Sequence, residues 1–109
     1  MQIMVRNNPG LRIVDIDGDV NFNNSNQLLK QLTMAAEGVK GMFAVNLTKV
    51  KFMDSSGIAT MLEALKLARA KGVKFALIGM NENLRNVFVL SRLDKVFTLV
   101  NDEAALGTG

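Results

Sequence analysis

The sequence predicts a small single-domain α/β fold over residues 1–109, a mixed β-sheet with a parallel-rich centre packed against helices. Three observations carry this. Short apolar stretches alternate with segments of helical spacing along the whole chain. Gly41–Leu47 (G-M-F-A-V-N-L) reads as a buried central strand, apolar on both faces, and Val73–Gly79 as a second core strand. The first two stretches, by contrast, are joined by a tight turn, which makes them a hairpin. Helices alternating with buried strands imply βαβ units with right-handed crossovers, and in such folds the strand-end loops carry function.

The elements follow in order. Ile3-Met4-Val5 and Leu11–Ile16 flank N7-N8-P9-G10, where Pro and Gly suit adjacent turn positions. Gly18 breaks the pattern, and the polar loop 19–25 leads into L-L-K-Q-L-T-M-A-A-E-G. There Leu28, Leu32, Ala35 and Ala36 share one helical face; Asn24 and Gln27 have capping-box spacing, and Gly38 is the expected stop. After Gly41–Leu47 and a basic connection through Lys49 and Lys51, residues 58–70 show clear helical spacing. Ile58, Met61, Leu62, Leu65 and Ala68 form its predicted buried stripe, with Glu63, Lys66 and Arg69 outward. Beyond Val73–Gly79, Asn81 can cap a helix whose apolar positions are Leu84, Val87 and Phe88. Val96–Val100 is a last short strand, and Asn101 or Asp102 can cap a terminal turn. The order is β-β-α-β-α-β-α-β.

Composition narrows the function. The 109 residues are 49% hydrophobic and 21% charged, ordinary for one globular domain. With no Cys and no His, thiol chemistry and metal sites built on thiolate or imidazole are excluded. Neither phosphate-cradling glycine motif occurs, and Ser55 has no evident base to make it a nucleophile. The sequence therefore favours a binding module over an enzyme, with no cofactor and no metal. Asp15, Asp17 and Asp19 read as a solvated strand edge and turn before a weak cation site. Basic residues are interrupted and Trp and Tyr are absent, so no nucleic-acid partner is expected. Apolar runs are too short for a membrane span or a signal peptide, so no stable membrane insertion is expected and a cytoplasmic location is the default. The net charge of +3 is uneven: residues 40–74 carry seven basic and two acidic side chains, while both flanking segments are slightly acidic.

The most informative stretch is Met53–Ile58, where a turn, D-S-S-G, opens an amphipathic helix inside that basic third. A helix start has unsatisfied N–H groups and local positive potential. Asp54, Ser55 or Ser56 can be the cap. A phosphate on Ser55 would add about −1.5 to −2 charges; helix N–H groups are expected to favour it and Asp54 to repel it. The same four residues also make an ordinary turn and cap, and Met53 and Met61 are ordinary core fillers.

Taken whole, the sequence resembles the STAS domain, specifically the bacterial anti-sigma factor antagonists, also called anti-anti-sigma factors. The resemblance spans nearly the whole chain and is most specific at V50-K51-F52-M53-D54-S55-S56-G57-I58. I16-D17-G18-D19-V20, G72-V73-K74-F75, N83-L84-R85-N86-V87-F88 and L93-D94-K95-V96-F97 support it. It implies a STAS domain over residues 1–109, with the serine after Asp, Ser55, as phosphoacceptor. In that family a GHKL-type anti-sigma factor/serine kinase phosphorylates the antagonist. The unphosphorylated form sequesters the kinase and frees a sigma factor, and a PP2C-type serine phosphatase resets the switch. The implied partner surface is Asn21, Phe22, Asn23, Asn24, Asp54, Ser55, Ser56, Gly57, Ile58, Thr60 and Met61. Many members carry Asp where this chain has Asn21, which keeps hydrogen bonding and loses a charge. The C-terminal helix is also shorter than usual. The alternative within the family is a non-phosphorylated structural or adaptor STAS subunit of a larger regulatory or transport-associated assembly.

Overall fold

The computed structural model describes residues 1–108. Five strands form one sheet in the order β1 (Gln2–Asn8), β2 (Leu11–Asp17), β3 (Met42–Lys49), β4 (Lys74–Ile78) and β5 (Thr98–Val100). β1 is antiparallel to β2 and every later pair is parallel, so the predicted mixed sheet with a parallel-rich centre is what forms. Asn8 pairs with Leu11, which leaves Pro9-Gly10 as the turn. Gly10 adopts φ +74°, a value its missing Cβ permits and a type II turn requires.

Helices α1 (Ser25–Ala35), α2 (Ser55–Ala70) and α3 (Glu82–Leu90) make the three crossovers between parallel strands. The strands advance across the sheet in one direction, so crossovers of one hand put all three helices on one face. On that face Val14, Ile16, Phe43, Val45, Leu47, Phe75 and Leu77 meet Leu28, Leu32, Met61, Ala64, Ala68, Leu84 and Phe88. Aromatic rings extend this core sideways: Phe43 lies 5.7 Å from Phe75, and Phe97 lies 6.3 Å from Phe75 and 5.5 Å from Phe88. The opposite face has only a small patch, Ile13, Ala44, Ala76 and Ile78, covered by Leu106 from the 3-10 helix Glu103–Thr108. Thus β3 is buried on both sides, as its sequence predicts.

Several local expectations differ from the structure. β1 runs well beyond Ile3–Val5, because its polar residues Gln2, Asn7 and Asn8 still find ladder partners on β2. β5 is shorter than Val96–Val100; Val96 and Phe97 instead close the turn after the 3-10 helix Leu93–Lys95. α1 is capped in position by Asn24, but no side-chain cap forms and the Asn24–Gln27 capping box is absent. The Asn24 amide is used elsewhere: its Oδ1 accepts from the Asn21 N–H at 2.9 Å and its Nδ2 donates to the Asp19 carbonyl at 3.0 Å. α1 also ends at Ala35, before Gly38. In α2 the buried residues are Gly57, Thr60, Met61, Ala64, Leu65 and Ala68, with Ile58 and Leu62 at the margin. The buried stripe keeps Met61, Leu65 and Ala68 of the predicted set and takes in the small residues Gly57, Thr60 and Ala64 in place of Ile58 and Leu62.

Of the acidic trio, Asp15 is paired with Arg6 at 2.5 Å, Asp19 accepts from the Phe52 N–H, and Asp17 is exposed. Among the described residues no cluster of three or more acidic side chains is arranged to hold a metal ion. No helix among them is long and apolar enough to cross a membrane.

Candidate functional site

The D-S-S-G turn leaves β3 at the carboxyl edge of the sheet, and the β2–α1 loop runs beside it. Gly18 N–H donates to the Lys49 carbonyl, Val20 N–H to Phe52, and Asp54 N–H to Val20, each at 3.1 Å. Val20 and Met53 form an isolated parallel bridge with both side chains buried. Met53 is therefore a core filler. Alternation along this short bridge turns Phe52 and Asp54 away from the core. Side chains complete the seam: Asp19 Oδ1 accepts from Phe52 N–H at 3.1 Å, and Asp54 Oδ2 accepts from Phe22 N–H at 3.0 Å.

Asp54 is the cap of α2. Its Oδ1 accepts from the N–H of Ser56 (2.9 Å) and of Gly57 (3.2 Å), and from the Ser56 hydroxyl (2.5 Å). The Ser56 hydroxyl bond, with the Gly57, Phe22 and Ser56 N–H groups, holds the Asp54 carboxyl below the usual carboxylate range. This corrects one expectation. Two N–H groups that would favour a phosphate on Ser55 are already taken by Asp54, so added charge meets mainly a neighbouring carboxylate.

Ser55 is the first residue of α2 and is exposed, and among the described residues its hydroxyl makes no hydrogen bond. Its neighbours are fixed on both sides. Gly57 is buried, and a Cβ there would run into the Met53 side chain and Val20, so this turn of helix lies directly on the seam.

The other sequence-predicted residues divide by exposure. Phe22 and Asn23 are exposed with Ser55, while Asn21, Asn24, Asp54, Ser56 and Ile58 are half-buried. Gly57, Thr60 and Met61 are buried and shape the site from beneath, without a surface to offer a partner. Thr60 is satisfied internally, its hydroxyl donating to the Ser56 carbonyl at 2.9 Å. Asn21 is a turn-former: its Oδ1 accepts from Asn23 N–H, and its carbonyl accepts from Asn24 and Ser25 N–H. Lys49 and Lys51 are both exposed, but only Lys51 lies in the loop; Lys49 is the last residue of β3, paired with Asp17 of β2.

Sequence reasoning missed three contributors. The first is Phe52, 57% exposed; with Phe22, already expected at the surface and 80% exposed, it gives two aromatic rings projecting from the two segments that meet at the seam. The signal was a phenylalanine set between Lys51 and the D-S-S-G turn. Asp19 and Asn81 were missed as organisers because their partners are backbone groups distant in sequence.

Comparison with known proteins agrees with the fold. The chain is 27% identical over 104 residues to the anti-sigma F factor antagonist of Paenibacillus polymyxa, covering 94% of this chain and 89% of that protein. It is 33% identical over 66 residues to the intermembrane phospholipid transport system binding protein MlaB of Escherichia coli, covering 61% of this chain and 65% of that one. Among solved structures, a Thermotoga maritima protein described as an anti-sigma factor antagonist superposes with a TM-score of 0.87 at 21% identity. That match covers 94% of this chain and 89% of the other. The family model of the STAS domain matches residues 2–106, and the chain belongs to that family.

Proposed function

We propose that this protein is an anti-sigma factor antagonist, a binding module switched by phosphorylation of Ser55. The observation that carries the reading is an exposed, unengaged hydroxyl on the first residue of a helix whose start is locked by Asp54. The whole-length likeness to the Paenibacillus antagonist supports it. In the unphosphorylated state, the surface around Phe22, Asn23, Phe52 and Ser55 holds a GHKL-type anti-sigma factor kinase, and a sigma factor is released. In the phosphorylation step the Ser55 Oγ forms a bond to the γ-phosphorus of ATP, the bond to the β–γ bridging oxygen breaks, ADP leaves, and the hydroxyl proton passes to a base on the kinase. The product carries a dianion beside the Asp54 carboxylate. The two charges alter the surface potential where the kinase docks while the fold persists, and the complex weakens. A PP2C-type phosphatase hydrolyses the ester and restores the binding form.

Affinity capture from a native extract, followed by intact-mass measurement with ATP, tests this directly. A stoichiometric kinase complex is expected, with one phosphate added to the wild-type chain and none to Ser55→Ala. Ser55→Asp is expected to weaken the complex by roughly tenfold or more with an unchanged far-UV spectrum. Label persisting on Ser55→Ala, or full affinity in Ser55→Asp, would reject the switch. The second reading, a non-phosphorylated adaptor subunit, draws on the 33% identity with MlaB over 66 residues. It predicts capture of a transport assembly and no mass change with ATP.

A further inference from the structure

We infer that Asn81 is a positioning residue for Ser55, acting through the backbone carbonyls of Val50 and Lys51; this rests on Ser55 being the phosphoacceptor. Asn81 is the cap of α3, and its Oδ1 accepts from the Leu84 N–H at 2.8 Å. That bond fixes the orientation of the amide, because an N–H must meet the oxygen. The NH2 group then faces the carbonyls of Lys51 at 3.1 Å and Val50 at 3.4 Å.

The segment so held is the one that delivers Ser55. Between the end of β3 at Lys49 and the start of α2 at Ser55, the backbone joins no regular ladder; its one bridge is Met53 to Val20. From the α1 side it is held by Val20, by Asp19 and by the contact of Asp54 with Phe22. From the α3 side, Asn81 is the donor to the Val50 and Lys51 carbonyls among the described residues. Asn81 is itself placed by β4 and β5, since Gly79 N–H donates to the Val100 carbonyl at 2.9 Å. The loop is thus clamped between two neighbours, and the clamp on one side is a single amide.

Residue chemistry separates this role from helix capping. Asp and Ser cap a helix as well as Asn does. Only the amide combines an acceptor for the cap with a donor for the two carbonyls. Asn81→Asp keeps the cap and turns a negative oxygen toward the carbonyls; Asn81→Ser keeps the cap and cannot reach them. Phosphoryl transfer depends on alignment of the attacking oxygen, so a loop released on one side lowers turnover more than binding.

The test uses the whole chain carrying Asn81→Asp or Asn81→Ser, with amide hydrogen exchange on the isolated protein and ATP-dependent labelling by the kinase captured with the wild type. Both variants are expected to keep wild-type protection in α3. Exchange at the Phe52 and Asp54 amides should be roughly tenfold faster, and kcat for Ser55 labelling roughly tenfold lower with KM within about twofold. Wild-type exchange at Phe52 and Asp54, or wild-type kcat, in Asn81→Asp would overturn the inference. So would exchange that rises only within α3, the signature of a lost cap. If no kinase labels the wild-type chain, the reading of Ser55 falls, and the positioning of Ser55 for transfer falls with it. Unchanged exchange beside normal wild-type labelling removes the clamp alone.

Discussion

At Asp54 one carboxylate serves four donors drawn from two loops, the Ser56 and Gly57 N–H groups and Ser56 hydroxyl of its own turn and the Phe22 N–H across the seam. Asp54→Ala removes the cap and the cross-loop bond together. We expect its thermal midpoint to fall by roughly 5 °C, with the Phe22 amide losing exchange protection. Asp54→Ser, which keeps a cap acceptor on a shorter arm, is expected to recover most of the midpoint and none of the Phe22 protection. Phe22 protection kept at the wild-type level in either variant would deny the cross-loop role. The cap itself was legible in the sequence, because D-S-S-G before an apolar period admits few other readings. Which of its three polar residues would cap was not, and the same limit applied at Asn24. That loop holds three asparagines, Asn21, Asn23 and Asn24, able to close local turns. Asn24 was diverted from its helix by Asn21 N–H and the Asp19 carbonyl, a competition that spacing alone does not reveal.

Strands and helices were legible where burial alone sets their pattern. β3, β4 and the body of α2 are apolar in the sequence because they are enclosed in the fold. β1 was only partly legible, since a polar edge strand owes its length to the pairing partner rather than to its own residues. The seating of α2 was hidden for a different reason: it rests on Gly57, whose contribution is an absence of atoms. A Cβ at Gly57 meets Met53 and Val20, both buried, with no solvent side to move into. Gly57→Ala is therefore expected to destabilise the protein by about 1–3 kcal/mol despite the better helix propensity of alanine. Gly72→Ala serves as the contrast, because its strain is one of backbone sign, φ +71°, with nothing near the added carbon. Val20→Ala in the Gly57→Ala background should recover part of the loss. Urea denaturation measures both, and a Gly57→Ala variant as stable as wild type would mean that α2 does not rest on this contact.

For the whole molecule, placing all three helices on one face leaves the other face of the sheet dependent on the chain terminus and on an ion-pair network. Arg6 of β1 bonds Asp15 of β2 at 2.5 Å and Glu103 of the terminal 3-10 helix at 2.5 Å, and Asn46 of β3 donates to Asp15 at 2.8 Å. The Arg6 bond, aided by Asn46, holds the Asp15 carboxyl below its ordinary range, and Asp15 with Glu103 raises the Arg6 guanidinium further above its own. The direction fixes the pH response. A carboxyl with a depressed folded pKa binds fewer protons folded than unfolded. Its contribution is complete above the unfolded value of about 4 and is lost as pH falls through the lower folded value. Because Arg6 and Asp15 are partly exposed, at 36% and 26%, the contribution is modest, below about 1 kcal/mol. Between pH 7 and 5 the urea midpoint should not change on account of Asp15; below pH 4 it should fall, and Asp15→Asn should flatten that fall while lowering the plateau. Arg6→Gln should reproduce the flattening, because it removes the group that depresses Asp15. If Asp15→Asn descended as steeply as wild type in acid, the acid sensitivity would lie elsewhere and the network would serve geometry alone.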